Sequence, residues 1–140
     1  MSERLRAALA AEHAAIFGYG RLGVYLDADG KAEARAAEAV HRARRDTLVV
    51  KLDELKLSPA PAESAYLLPF PVTDAASAMK LAVHLEEGVA ATWRAAIKTV
   101  EGQERRTAVE AYSDAAVRAT RWRRRAGITP LTTPFPGRTG

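Results

Sequence analysis

From the first residues onward, apolar side chains return every three or four positions: Leu5, Leu9, Ile16, Tyr19, Gly23 and Leu26, with Glu12 set in the same line. That spacing predicts a helix over 2–26, capped by Ser2. Gly18, Gly20 and Gly23 each weaken a helix by about 1 kcal/mol relative to alanine, so they mark either a close helix contact or an early end. Asp27-Ala28-Asp29-Gly30 reads as a tight turn, with Asp29 placed to cap the next helix. That second helix is predicted over 30–57, with the stripe Ala34, Glu38, His41, Arg45, Leu48, Leu52 and Leu55. Three successive positions of the stripe are polar. Burying them is unfavourable unless each meets a partner, an ion or solvent.

Residues 58–73 break the pattern. Pro59, Pro61, Pro69 and Pro71 exclude a helix, while Tyr66, Leu67, Leu68 and Phe70 give the segment an apolar surface to bury. Sixteen extended residues reach roughly 50 Å, enough to run the length of a bundle. A third helix is predicted over 74–101, capped by Thr73 or Asp74, with Met79, Val83, Glu86, Ala90, Trp93, Ile97 and Val100 inward. A fourth is predicted over 104–126, with Val109, Tyr112, Ser113, Ala116, Val117 and Ala119 inward, Asp114 at the edge, and Gly127 as its stop. The tail 127–140 is too rich in proline to be helical. The expectation is one all-α domain over 1–140: two helical hairpins forming a bundle over about 2–126, joined by a Pro-rich crossover over 58–73.

The two halves repeat. At an offset of 74, Leu5, Leu9, Glu12, Ile16, Tyr19, Gly23 and Leu26 align with Met79, Val83, Glu86, Ala90, Trp93, Ile97 and Val100. For the second helix of each hairpin an offset of 76 aligns Glu38 with Asp114, His41 with Val117 and Arg45 with Arg121. Apolar matches between amphipathic helices carry little weight; the matched carboxylates carry more.

A stripe Glu on the first helix, the Glu38-x-x-His41 step on the second, a long crossover, a stripe Glu86 on the third and Asp114 on the fourth resemble the ferritin-like superfamily of four-helix bundles. The stretches Glu12-His13-Ala14-Ala15-Ile16-Phe17-Gly18-Tyr19-Gly20, Leu68-Pro69-Phe70-Pro71-Val72-Thr73-Asp74 and Thr132-Thr133-Pro134-Phe135-Pro136-Gly137 also resemble a small actinobacterial family, classed as ferritin-like with no assigned function. The resemblance implies candidate metal ligands at Glu12, Glu38, His41, Glu86 and Asp114, for iron, manganese or zinc. The fourth helix departs from the pattern, because the step from Asp114 reaches Val117 and no second histidine is offered.

Counting residues from the first turn places Glu38 about 9 Å from the height of Glu12 and Arg45 level with it, at about 1.5 Å per residue. Arginine then becomes the expected partner of the buried carboxylates: Arg45 with Glu12 or Glu38, and Arg118 or Arg121 with Glu86 or Asp114. On that arrangement Arg45→Leu destabilises by several kcal/mol.

Composition narrows the rest. The chain has 140 residues, 48% of them hydrophobic, and no cysteine, which excludes disulfides and thiol chemistry. No apolar run approaches the ~20 residues of a membrane span and the start shows no signal peptide, so a cytoplasmic protein is expected. The net charge of +4 gathers at Arg121-Trp122-Arg123-Arg124-Arg125. Cations at a helix C-terminus are stabilising in themselves, so nucleic acid is the least favoured partner. Three readings compete, in decreasing order: a non-catalytic bundle acting through association with itself, as a homodimer, or with another protein; a metal-dependent oxidoreductase; and a binder of anionic partners. No catalytic residue and no required cofactor is expected on the first.

Overall fold

In the computed structural model, which describes residues 2–59, 61–63 and 66–138, the chain forms four helices. They are α1 (Ser2–Leu22), α2 (Ala28–Glu54), α3 (Ala75–Ile97) and α4 (Gly102–Ala126), with a 3-10 turn at Gly23–Tyr25 after α1. Among the described residues there is no strand. The side chain of Ser2, expected as a cap, lies outside the described part, as do residues 60, 64 and 65 of the crossover.

Helix ends follow local chemistry. Asp27, not Asp29, caps α2 by accepting from the Gly30 amide at 2.7 Å. Asp74 caps α3 reciprocally with Ser77, accepting from its amide at 2.8 Å while its own amide donates to the Ser77 hydroxyl at 3.1 Å. Gly127 stops α4 in the left-handed region at φ 70°, which frees Ile128 to donate back to the Arg123 carbonyl at 2.9 Å. The α1 glycines serve both expected purposes. A Cβ on Gly18 would overlap Leu85 of α3, so α1 and α3 cross closely there, and Gly23 opens the 3-10 turn.

Tyr19 of α1 bonds Glu86 of α3, and Trp93 of α3 bonds Glu12 of α1, so these two helices are antiparallel. Within each hairpin the helices are antiparallel as well; hence α2 and α3 run the same way and the link between them must traverse the bundle. It does so alongside α1: the Ser58 carbonyl accepts from Arg6 at 3.0 Å, the Tyr66 ring lies 5.3 Å from Phe17, and Leu68, Phe70 and Val72 pack on the core. Two apolar clusters flank the middle of the bundle. One holds Leu5, Leu9, Leu48, Leu52, Val89 and Trp93; the other holds Leu22, Leu26, Leu81, Ala82 and Trp122. Each fully buried Leu or Val contributes about 1.5–3 kcal/mol.

The inner face of α4 is not the expected one. Val109 and Val117 are exposed, and Ala108, Ala111, Ala115, Arg118, Ala119 and Trp122 face inward. The repeat explains this. α2 and α4 begin at Ala28 and Gly102, 74 positions apart, so the offset that relates α1 to α3 also relates α2 to α4. It pairs Ala34 with Ala108, Ala37 with Ala111, His41 with Ala115 and Leu48 with Trp122, all buried. The offset of 76 rests on Glu38 and Asp114, which both lie at the rim. Alanines on α4 let its backbone approach α3 closely, while the backbones of α2 and α4 stay farther apart and are joined by side-chain ion pairs such as Arg44–Asp114, Lys51–Glu104 and Arg125–Glu33.

Candidate functional site

The centre of the bundle is a chain of polar side chains. Glu12 and Glu86 project from the crossing of α1 and α3, and His41 enters between them from α2. The imidazole Nδ1 lies 2.5 Å from Glu12 Oε2 and its Nε2 lies 2.8 Å from Glu86 Oε2. The other oxygen of Glu12 accepts from the Trp93 indole N–H at 2.9 Å. Glu86 Oε2 also accepts from the Tyr19 hydroxyl, and that hydroxyl accepts from the Trp122 indole N–H at 2.9 Å. Six side chains therefore join end to end, Trp122–Tyr19–Glu86–His41–Glu12–Trp93, each 2% exposed or less. The Tyr19 ring stacks on the imidazole at 5.8 Å between centroids.

The arrangement follows the repeat. Tyr19 lies seven residues after Glu12, and Trp93 seven after Glu86. Seven residues are about two helical turns, so each aromatic shares a face with its own carboxylate. Because α1 and α3 run antiparallel, each aromatic reaches the carboxylate of the other helix. His41 breaks the symmetry, since its counterpart on α4 is Ala115.

Electrostatics decides the state of this cluster. Burial pushes the His41 imidazolium down, but hydrogen bonds and charge from Glu12 and Glu86 more than offset it and raise its pKa from 6.5 to about 9. At neutral pH the ring is charged and both its N–H groups donate, one to each carboxylate. Burial, then the neighbouring Glu86 charge, pushes the Tyr19 hydroxyl well above the usual phenol range, so it remains a donor. Arg118 stands beside the cluster. Burial opposes its charge, but Glu86 and Asp114 outweigh it and hold its pKa above the ordinary value. Among the described residues, Glu86 Oε1 is the one buried side-chain oxygen or nitrogen without a hydrogen-bond partner.

Of the expected ligands, Glu12, His41 and Glu86 converge, while Glu38 and Asp114 do not. Glu38 accepts from Arg42 at 2.6 Å on the outer side of α2, because Ala37, one turn before His41, takes the inward position. Asp114 is held at the rim by Arg118 at 2.5 Å and Arg44 at 3.3 Å. The arginine expectations divide. Arg118 does pair with Asp114, but Arg45 pairs with its neighbour Asp46 at 2.9 Å and does not reach Glu12, and Arg121 is exposed. The reason is register. Counted through the 3-10 turn, Glu12 lies 13 residues before Tyr25 and His41 lies 13 after Ala28, so the level of Glu12 falls at His41 and not one turn further on at Arg45. Of the C-terminal arginines, Arg123 is paired with Glu87 and Arg125 with Glu33, which leaves Arg121 and Arg124 exposed.

No group of three His, Asp or Glu side chains among the described residues is disposed to hold a single metal ion. Both His41 nitrogens point at a carboxylate, in diverging directions, so no third donor shares a point with them. Sequence reasoning missed Tyr19, Trp93 and Trp122 as members of the cluster. The signal was present in the matched seven-residue spacing of Glu12–Tyr19 and Glu86–Trp93.

Fold and site together define a class: a four-helix bundle built from two repeated hairpins, closed around a buried, charge-compensated carboxylate–imidazole cluster. The chain belongs to the family described as Domain of unknown function (DUF4439), whose model matches residues 4–140. It is also similar to the crystal structure of a conserved hypothetical protein from Mycobacterium tuberculosis, at 37% identity and a TM-score of 0.85, over 88% of this chain and 94% of that one. No curated protein matches the chain. No helix among the described residues is long and apolar enough to cross a membrane.

Proposed function

We propose that this chain is a ferritin-like bundle that works by association, with itself or with another protein, and not by metal-dependent catalysis. The ferritin-like assignment rests on the carboxylates carried by α1 and α3, the histidine on α2 and the end-to-end crossover. The observation that carries the non-catalytic reading is His41 lying between Glu12 and Glu86 with both ring nitrogens engaged. The imidazolium supplies the positive charge that a metal supplies elsewhere in bundles of this kind, and each side chain of the cluster is 2% exposed or less.

As arranged, these residues do not fit a metal ion. Holding one would require His41 to lose a proton and turn away from one carboxylate. The observation that favours the competing metal-binding reading is the unpartnered Glu86 Oε1, next to a Glu–His–Glu donor set that suits iron, manganese or zinc. Elemental analysis of protein purified without a chelating tag separates the two. Sub-stoichiometric metal, with a melting temperature indifferent to chelator, supports the association reading. Stoichiometric iron, manganese or zinc overturns it.

A further inference from the structure

The crossover lies along α1 and reaches α3, and the tail lies on α3 and α4. The outer face of α2 stays open. We infer that two copies of the chain meet on this face, α2 against α2 and antiparallel. The inference rests on the association reading and names its partner and its surface.

The row down the middle of the face is apolar and evenly spaced. Ala32, Ala36, Ala39, Ala43 and Val50 are all exposed and follow at steps of four, three, four and seven residues. Those steps are the heptad pattern that lays one helix along another, and small side chains let two helix axes approach to about 8 Å. An alanine row alone selects no occupant; the charges beside it do. Lys31 and Arg35 stand towards the start of α2, Asp46 and Asp53 towards its end, and all four are exposed. At about 100° per residue they share one flank of the row, the flank towards α1, where Lys31 and Arg35 lie beside Gly20 and Gly23. Among the described residues Lys31, Arg35 and Asp53 have no ion-pair partner, and Asp46 remains 68% exposed beside Arg45.

Antiparallel helices bring like flanks together with their order reversed. With Ala39 set on Ala43 of the second copy, Ala32 meets its Val50. Arg35 then comes within about one residue of its Asp46, and Lys31 within about two of its Asp53, about 3 Å or less along the axis. The twofold axis repeats every contact. Arg42, close to that axis, is already bonded to Glu38 at 2.6 Å. Parallel pairing would instead set cation on cation. The partner this face fits must carry the same charges in reverse order, and a second copy does. The seam is one helix wide, which places it among transient interfaces of less than about 1,200 Å².

The test is sedimentation equilibrium of the full chain at low salt, from about 10 to about 500 µM. The natural chain should pass from one copy to two across that range. An acidic variant carries Lys31→Glu with Arg35→Glu, and a basic variant carries Asp46→Lys with Asp53→Lys. Each sets like charges against each other in its own dimer and should weaken it by about tenfold or more. Mixed in equal amounts, the two variants regain every pair and should form a heterodimer as tight as the natural dimer to within a few-fold. Lys31→Glu lies in the first turn of α2 and Asp53→Lys in the last, where the helix dipole favours the new charge, and circular dichroism checks that both variants fold. Ala39→Glu, at an exposed position of the row, should also abolish the dimer. A natural dimer indifferent to all three variants, or a mixture no tighter than either variant alone, overturns this surface and leaves the association reading standing. A natural chain that stays single throughout overturns self-association and leaves association with another protein.

Discussion

Replacing His41 with leucine removes, among the described residues, the one positive charge hydrogen-bonded to Glu12 and Glu86, both of which are fully buried. Breaking a buried pair strands a charge and destabilises by about 3–5 kcal/mol. Linkage gives the same scale independently. A pKa raised from 6.5 to about 9 corresponds to about 3 kcal/mol of folding free energy. The folded value lies above the unfolded one, so this stability is fully present below pH 6.5 and is lost as pH rises through about 9. Against a typical total of about 5–15 kcal/mol it is a large share, and at 140 residues it lowers the melting temperature by about 10 °C or more. The assay is urea unfolding of the natural chain and of His41→Leu at about pH 6 and about pH 9.5. The natural chain should lose about 3 kcal/mol between the two pH values. The variant should start lower and change little across the window. Adding Glu12→Gln and Glu86→Gln to His41→Leu should recover part of the loss, because no charge is then stranded. A variant as stable as the natural chain, or one with the same pH slope, would refute the reasoning.

Tyr19→Phe and Trp93→Phe each remove one donor from one buried carboxylate, so each should destabilise by about 1–3 kcal/mol in a urea melt; Tyr19→Phe also strands the Trp122 indole N–H. A variant as stable as the natural chain would contradict the bond it removes. Arg45→Leu should change stability by no more than about 0.5 kcal/mol, since Arg45 pairs with the exposed Asp46, and chemical denaturation checks it. Gly137→Ala should loosen the C-terminal tail, because Gly137 has φ 75° and a Cβ there would stand 2.9 Å from the Ala90 backbone. Faster proteolytic trimming of the tail, with the melting temperature of the bundle nearly unchanged, is the expected outcome.

The helices and the crossover were legible because apolar spacing and proline report directly on backbone geometry, and the four helix spans differ from expectation by only a few residues at their ends. Glu12, His41 and Glu86 were legible as polar residues inside apolar stripes, which need a reason to be there. Which residues would face them was harder to read. Arg45 is expected level with Glu12, and the structure places His41 there, one helical turn earlier, because the 3-10 turn ends at Tyr25 and α2 starts at Ala28. Gly23 pointed to an early end, but a 3-10 turn followed by an Asp27 cap is a local detail that periodicity does not resolve. Glu38 stands out through the Glu-x-x-His spacing, but Ala37 lies about 40° from His41 around the helix against about 60° for Glu38, and, being small and apolar, it takes the inward place. The inner face of α4 was misread for a related reason. Alanine carries little hydrophobic signal, and an alanine-lined face with Arg118 and Trp122 in it looks weaker in sequence than Val109 and Val117, which the structure leaves exposed.

The central claim is that His41 is a charged imidazolium bonded on both sides. Nitrogen NMR of histidine-labelled protein tests it most directly, by following the two ring nitrogens of His41 against pH. Both nitrogens should carry protons at neutral pH, shielded from exchange, and titrate together with a midpoint near about 9. A neutral single tautomer at pH 7, or a ring nitrogen with the signature of a coordinated metal, would contradict it.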